Sequence, residues 1–593
     1  MARKAQSKKK LPAWNLNDLF PSPESPELTG ALAQALVDAK AFESSYQGRI
    51  KAMNGTEFAE ALVEFERIET VLCRIMSYVQ LLHASDVCNS EFGRLYQTIR
   101  ERVTVVSTHI LFFTLEINRL DDDKLAAKTK NQAAGRYWPW IRNVRQFRPH
   151  QLPDEMEKLL HEKEVSGRGA WARLFDETIA GLRFPLKGKE LSITEILDLM
   201  SDRQSENRMM AAKSLGHVLG ENIRVFSLIT NTLAKDKEIE DNWRSYSHPA
   251  ASRNLANQVE DEVVEALVHA VKGAFDQLSH RYYALKAKWL GVDKLDYWDR
   301  NAPLPEDIDR RYSWDEARDI VLDSYRRFSP ELAEIGERFF TNGWIDADPR
   351  PGKAPGAFAH PTSVDAHPYL LVNFMGRARD VMTLAHELGH GIHQVLSAGQ
   401  GQLMSDTPLT LAETASVFGE MLTFRAMLKS ESDPKVRRIF LASKVEDMLN
   451  TVVRQIAFHD FEHKLHAERR NGEISAERLG DMWMEVQYES LGPAFRFDEE
   501  YRNYWAYIPH FVHTPFYVYA YAFGDCLVNS LYAVYAKGAP GFVEHYIEML
   551  KAGGTKRHKD LLTPFNLNAG DPAFWRRGLD MVSGFIDQLE KED

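Results

Sequence analysis

Residues 383–394 read TLAHELGHGIHQ. His386 and His390 are four apart, so on a helix they share one face, a turn apart. Two imidazoles placed this way can converge on one tetrahedral cation. Glu387 directly follows the first histidine. From there it cannot easily bind the same ion, but it can reach a water that the ion activates. Its chemistry would be to accept a proton from that water and return it to a leaving amine. The surroundings fit a helix. Val381, Leu384, Leu388, Ile392 and Val395 recur at three and four as one apolar stripe. Gly389 and Gly391 would each cost about 1 kcal/mol in a helix interior, a cost that usually has a packing or functional reason.

A catalytic zinc site needs a third protein ligand and leaves the fourth position to water. The histidine that would complete a metzincin pattern, six residues after His390, is absent; Leu396 stands there. His393 lies one turn too far along for the same ion and reads as a neighbour packing on the site or touching substrate. The better source is a second helix in SDTPLTLAETASVFGEMLTF, residues 405–424. Thr407 and Pro408 are a suitable cap and first-turn pair. Leu411, Ala415, Phe418 and Leu422 form its apolar stripe, and Glu413 stands off it as the preferred third ligand. Glu420, two turns further on the same face, reads as an orienter of a histidine.

Around these residues the elements are mostly helical. Up to about residue 145, and again from Ile193 to Leu290, apolar residues recur at helical spacing. RQFRPHQLPDE, residues 145–155, is a polar break, and FPLKGKELSIT from Phe184 is a candidate hairpin. Between 338 and 376 Gly, Pro and Asp accumulate around one apolar run, HPYLLVNF, which predicts a strand at 368–374. As a sheet edge it could pair with an extended peptide backbone. With 593 residues the chain exceeds one compact core. We expect an N-terminal helical domain over 1–200 and a catalytic domain over 201–593.

The net charge of −12 disfavours nucleic acid as a partner. Three cysteines, Cys73, Cys88 and Cys526, argue for a reducing compartment. MARKAQSKKK is basic but leads into polar, proline-rich sequence, so it reads as a solvated tail and not a secretory signal. No apolar run is long enough to span a membrane. The expectation is a cytoplasmic protein, monomeric with an oligomer left open.

The segments HPYLLVNFMGRARDVMTLAHELGHGIH, LAETAS and IPHFVHTPFYVYAYAFGD, with WNLNDLF and DPAFWRRGL near the ends, resemble the oligoendopeptidase F branch of the thimet oligopeptidase family. The likeness touches almost the whole length and is most specific over 365–425. It implies a mainly α, two-lobed helical zincin metallopeptidase, with a small β element beside the active-site helix and a deep enclosed substrate channel. It implies one zinc held by His386, His390 and Glu413, Glu387 as base, and short oligopeptides as substrates. In that family a tyrosine and a histidine of the last block bind the substrate carbonyl or oxyanion. By spacing these are Tyr519 and His510, with a shift to Tyr517 open and His513 a further substrate contact; for most of these rings, burial in an aromatic core is the competing reading. The implied activity is a metalloendopeptidase. Two alternatives stay open: a carboxypeptidase or dipeptidyl carboxypeptidase on the same scaffold, and a non-catalytic, zinc-stabilised peptide-binding protein.

Overall fold

The protein is described by a computed structural model covering residues 11–305 and 310–591. The basic tip, residues 1–10, lies outside the described residues. The fold is mainly helical with a few short strands. Several helices start where the sequence supplies caps. Asn54 closes a capping box with Glu57 ahead of helix Gly55–Ser85. Ser25 caps Pro26–Tyr46 with proline in its first turn. The polar break separates two α-helices, one ending at Arg145 and the next beginning at Asp154, with only a short 3-10 turn, Arg148–His150, between them. The candidate hairpin forms as well. Phe184–Leu186 pairs antiparallel with Lys189–Leu191 through Lys187 and Gly188, both at positive φ.

Two compact units interleave along the chain. The first gathers residues up to Arg148 with Arg310–Ser430 and Gly538–Phe565; the second gathers Pro149–Asp309, Glu431–Lys537 and the C-terminal segment from Asn566. Each carries its own apolar core. One is built around Phe42, Phe58, Phe65 and Phe113, the other around Phe226, Phe461, Trp483 and Trp505. No helix among the described residues is long and apolar enough to cross a membrane.

The small β element belongs to the first unit. The strand predicted at 368–374 is Tyr369–Leu371, with all three side chains buried. A run without alternation suits a strand covered on both faces. It is the central strand, parallel to Ile345–Asp346 and antiparallel to Phe358–His360. This corrects the expectation that HPYLLVNF offers a free edge for a peptide. Both of its sides are taken, and the outer strands are Ile345–Asp346 and Phe358–His360.

Candidate active site

The stretch TLAHELGHGIHQ lies inside helix Ala378–Ser397. Its stripe is buried at Val381, Leu384, Leu388 and Ile392 and half-buried at Val395. The partner helix is Leu409–Ser430, with Leu411, Ala415 and Phe418 buried. Gly389 explains how the two helices meet, and Gly391 makes room for Phe339 of helix Pro330–Thr341. A Cβ on Gly389 would lie 2.5 Å from the Ala415 carbonyl oxygen, and one on Gly391 would lie 2.6 Å from the Phe339 ring. Any larger residue at 389 would push the two backbones apart. Tyr325 donates to the Ala385 carbonyl (3.0 Å) and Tyr546 to the Thr414 carbonyl (2.8 Å), tying each helix to a neighbour.

That close approach brings three donors together. Glu413 Oε2 lies 3.4 Å from His386 Nε2 and 3.4 Å from His390 Nε2. One ligand atom from each residue lies within 4.8 Å of the others. His386 turns its other nitrogen, Nδ1, to Glu420 Oε2 at 3.2 Å, which directs Nε2 toward Glu413. The Ser416 hydroxyl donates to Glu413 Oε2 at 2.7 Å. Two imidazoles and one carboxylate, converging and half-buried, are a donor set that fits a divalent ion such as zinc with a position left open.

The charges are strongly coupled. Burial would raise the Glu413 carboxyl, but His390, His386 and the Ser416 hydroxyl outweigh it and hold it well below the usual carboxylate range. Burial would lower the His386 imidazole, yet its bond to Glu420 and the charges of Glu413 and Glu387 raise it to about 9. Glu387 is 7% exposed, and burial pushes its carboxyl up against the pull of His386 and His390. His393 does not join the three. It is buried, faces the Thr407 hydroxyl at 3.3 Å, and is lowered to about 4, chiefly by burial.

The histidines and tyrosines of 508–521 belong to the second unit. His510, Tyr517 and Tyr521 are half-buried and come together there. His510 Nε2 is 3.3 Å from the Tyr521 hydroxyl, and the Tyr517 and Tyr521 rings meet edge-on at 4.9 Å. Tyr519 is placed differently. It is fully buried, its ring packs on His459, and its hydroxyl accepts a bond from Asn257 at 2.8 Å. His513 is exposed and pairs with Asp176 at 2.8 Å. Tyr521 was among the rings this block offered, with no part assigned to it, and its four-residue spacing from Tyr517 was the signal for their pairing.

A helical frame that sets an H-E-x-x-H pair against a glutamate on the next helix defines a peptidase. Comparison with known proteins agrees. Residues 226–581, more than half of the chain, match the model of peptidase family M3, and residues 116–184 match one described as oligopeptidase F. The chain belongs to peptidase family M3. Oligopeptidase PepF of Bacillus subtilis is 26% identical over 589 residues, covering 98% of this chain and 87% of the relative. Group B oligopeptidase PepB of Streptococcus agalactiae is 26% identical over 587 residues, covering 96% and 93%. The crystal structure of oligoendopeptidase-F from Enterococcus faecium shares the fold, with a TM-score of 0.74 at 23% identity over 95% of this chain and 97% of that one.

Proposed function

We propose that this peptidase is a zinc metalloendopeptidase that hydrolyses internal bonds of short oligopeptides. The observation that carries the reading is the convergence of His386, His390 and Glu413 beside a buried Glu387. His386, His390 and Glu413 would hold one zinc per chain, with Glu420 orienting His386. When bound, zinc supplies Lewis-acid polarisation of the scissile carbonyl and lowers the pKa of water. Glu387 does the proton work. Its raised carboxyl takes a proton from water and returns it to the departing amine more readily than an ordinary carboxylate would. In the 508–521 block, His510 and Tyr517 are our candidates for steadying the substrate carbonyl, since they are half-buried while the Tyr519 hydroxyl is spent on Asn257. Tyr519 and His513 then act by packing and by the Asp176 pair.

The names of the relatives, oligopeptidases and oligoendopeptidases, support short peptides as substrates. Free Cys73, Cys88 and Cys526 support a reducing cytoplasm. We also propose chain modules divided near residue 200, supported by the separate matches at 116–184 and 226–581.

The test is hydrolysis of a doubly blocked, internally quenched peptide by wild type and Glu387→Gln, with zinc quantified in both. Equal zinc with a rate lowered by about 10²–10⁴-fold supports Glu387 as base. An undiminished rate in the variant removes that role. Cleavage with both ends blocked separates an endopeptidase from a carboxypeptidase.

A further inference from the structure

A cavity of about 650 Å³ opens beside the three donors, wholly within the first unit. His390 and His393 form one wall. The connector between the two site helices, with Asp406 and Thr407, forms another, and Cys73 of helix Gly55–Ser85 a third. Cavities of this size hold ligands of a few residues.

Its charges are unevenly satisfied. On the cationic side, Arg338 lies over the Trp344 ring at 5.2 Å, and Trp344 stacks on His367 at 4.0 Å. His367 is in turn bonded to Asp18 at 2.9 Å. His390 faces Glu413, and His393 is held neutral by burial. On the anionic side stands Asp406, exposed and lining the cavity. Among the described residues no cation lies within ion-pair distance of it. Its carboxyl is bonded to the backbone amide of Thr407, the next residue in the chain. Among the described residues, Glu69, one turn before Cys73, has no ion-pair partner either. The charges of both acids act on the Cys73 thiol, which burial already pushes up.

A carboxylate with no cation partner on a cavity wall can pair with a positively charged guest that enters the cavity. Asp406 sits on the connector that leads directly into the Glu413 helix, three residues before Leu409. We propose that the cavity is a substrate subsite that selects a cationic side chain, lysine or arginine, and that Asp406 is the residue that recognises it. The subsite rests on the peptidase reading above.

The experiment is a scan of doubly blocked, quenched peptides in which lysine or norleucine occupies each position around the cleaved bond in turn. For the metal-loaded wild type, lysine should exceed norleucine in kcat/KM by at least about tenfold at one position. In Asp406→Asn that ratio should fall to about one. In Asp406→Arg the same position should favour glutamate over lysine. A wild-type scan that is flat everywhere overturns the subsite, as does a lysine preference retained in Asp406→Asn. Should the variants fail to fold, competition settles the question on wild type alone: a lysine-bearing product peptide should inhibit at lower concentration than its norleucine twin, and equal inhibition overturns the proposal. Absence of any cleavage by metal-loaded wild type defeats the peptidase reading itself, and the subsite with it.

Discussion

The paired helices of the metal site and the stretch from Ile508 to Tyr521 both gather polar rings into half-buried clusters, but they are built differently. In the first, two uninterrupted helices meet at Gly389, and the period of each decides which side chains converge. In the second, a four-residue helix, His510–His513, stops short of the next helix at Tyr519. The link passes through Phe516 at φ 58°, a left-handed conformation that costs about 1–3 kcal/mol for a non-glycine residue. The second cluster is therefore placed by tertiary contacts and not by a period. Its function should tolerate single changes better than the first.

The largest effects belong to the period-built site. On the function proposed above, Glu413→Ala removes one of three ligands and should abolish metal retention and activity together. Glu420→Gln leaves all three ligands but loosens His386, so affinity for zinc should fall by about 10–100-fold with activity recoverable at high zinc. Competition with a calibrated chelator measures both. If Glu420→Gln held zinc as tightly as wild type, the orienting role would be gone.

The same contrast explains what could be read from sequence. Helix Ala378–Ser397 carries one apolar stripe, which sets off His386 and His390, whereas Leu409–Ser430 is buried on most sides, and Glu413 and Glu420 stood out there by their seven-residue offset as candidates. The tyrosines at 517, 519 and 521 look like an alternating set, which suggests a strand-like choice between faces. The chain is turning into a helix there. Tyr517 and Tyr521, four apart, meet, while Tyr519 falls on the other side and enters the core. The strand Tyr369–Leu371 was visible as an apolar run, yet its central place was not, because pairing depends on Ile345–Asp346 and Phe358–His360, elements too short to announce themselves. Asp406 gave no signal at all; an acid before a helix start normally reads as a cap.

A phenylalanine pair sharpens the comparison at intermediate magnitude. Tyr517→Phe should lower kcat by about 10–10³-fold if its hydroxyl steadies the reacting carbonyl. Tyr519→Phe should leave kcat nearly unchanged. It breaks the bond with Asn257 in a buried setting and so should lower stability by about 1–3 kcal/mol. Steady-state kinetics and thermal unfolding of the two variants separate the roles, and a reversed pattern would return the chemistry to Tyr519.

The smallest expected effect concerns what holds Phe516 in place. Glu462 is 1% exposed and accepts the Phe516 amide at 2.8 Å, while the Phe516 ring packs against His463 and His466. Burial pushes the Glu462 carboxyl up from its ordinary 4.5 to about 8, against the amide bond and the charges of Arg253 and Lys237. Between those two pH values the folded chain keeps a proton that the unfolded chain has released. Stability from this group is therefore complete below about 4.5 and is lost as the pH rises through about 8. His466, lowered to about 3 by burial, acts in the opposite sense: its contribution is present above 6.5 and is lost as the pH falls toward 3. Glu462→Gln keeps an acceptor for the amide but cannot ionise, so subtracting it from wild type isolates the glutamate. The wild-type Tm should fall more steeply than that of the variant between pH 5 and pH 8. Parallel Tm profiles would mean that Glu462 does not carry the proton, and that the Phe516 turn is held by ring packing alone.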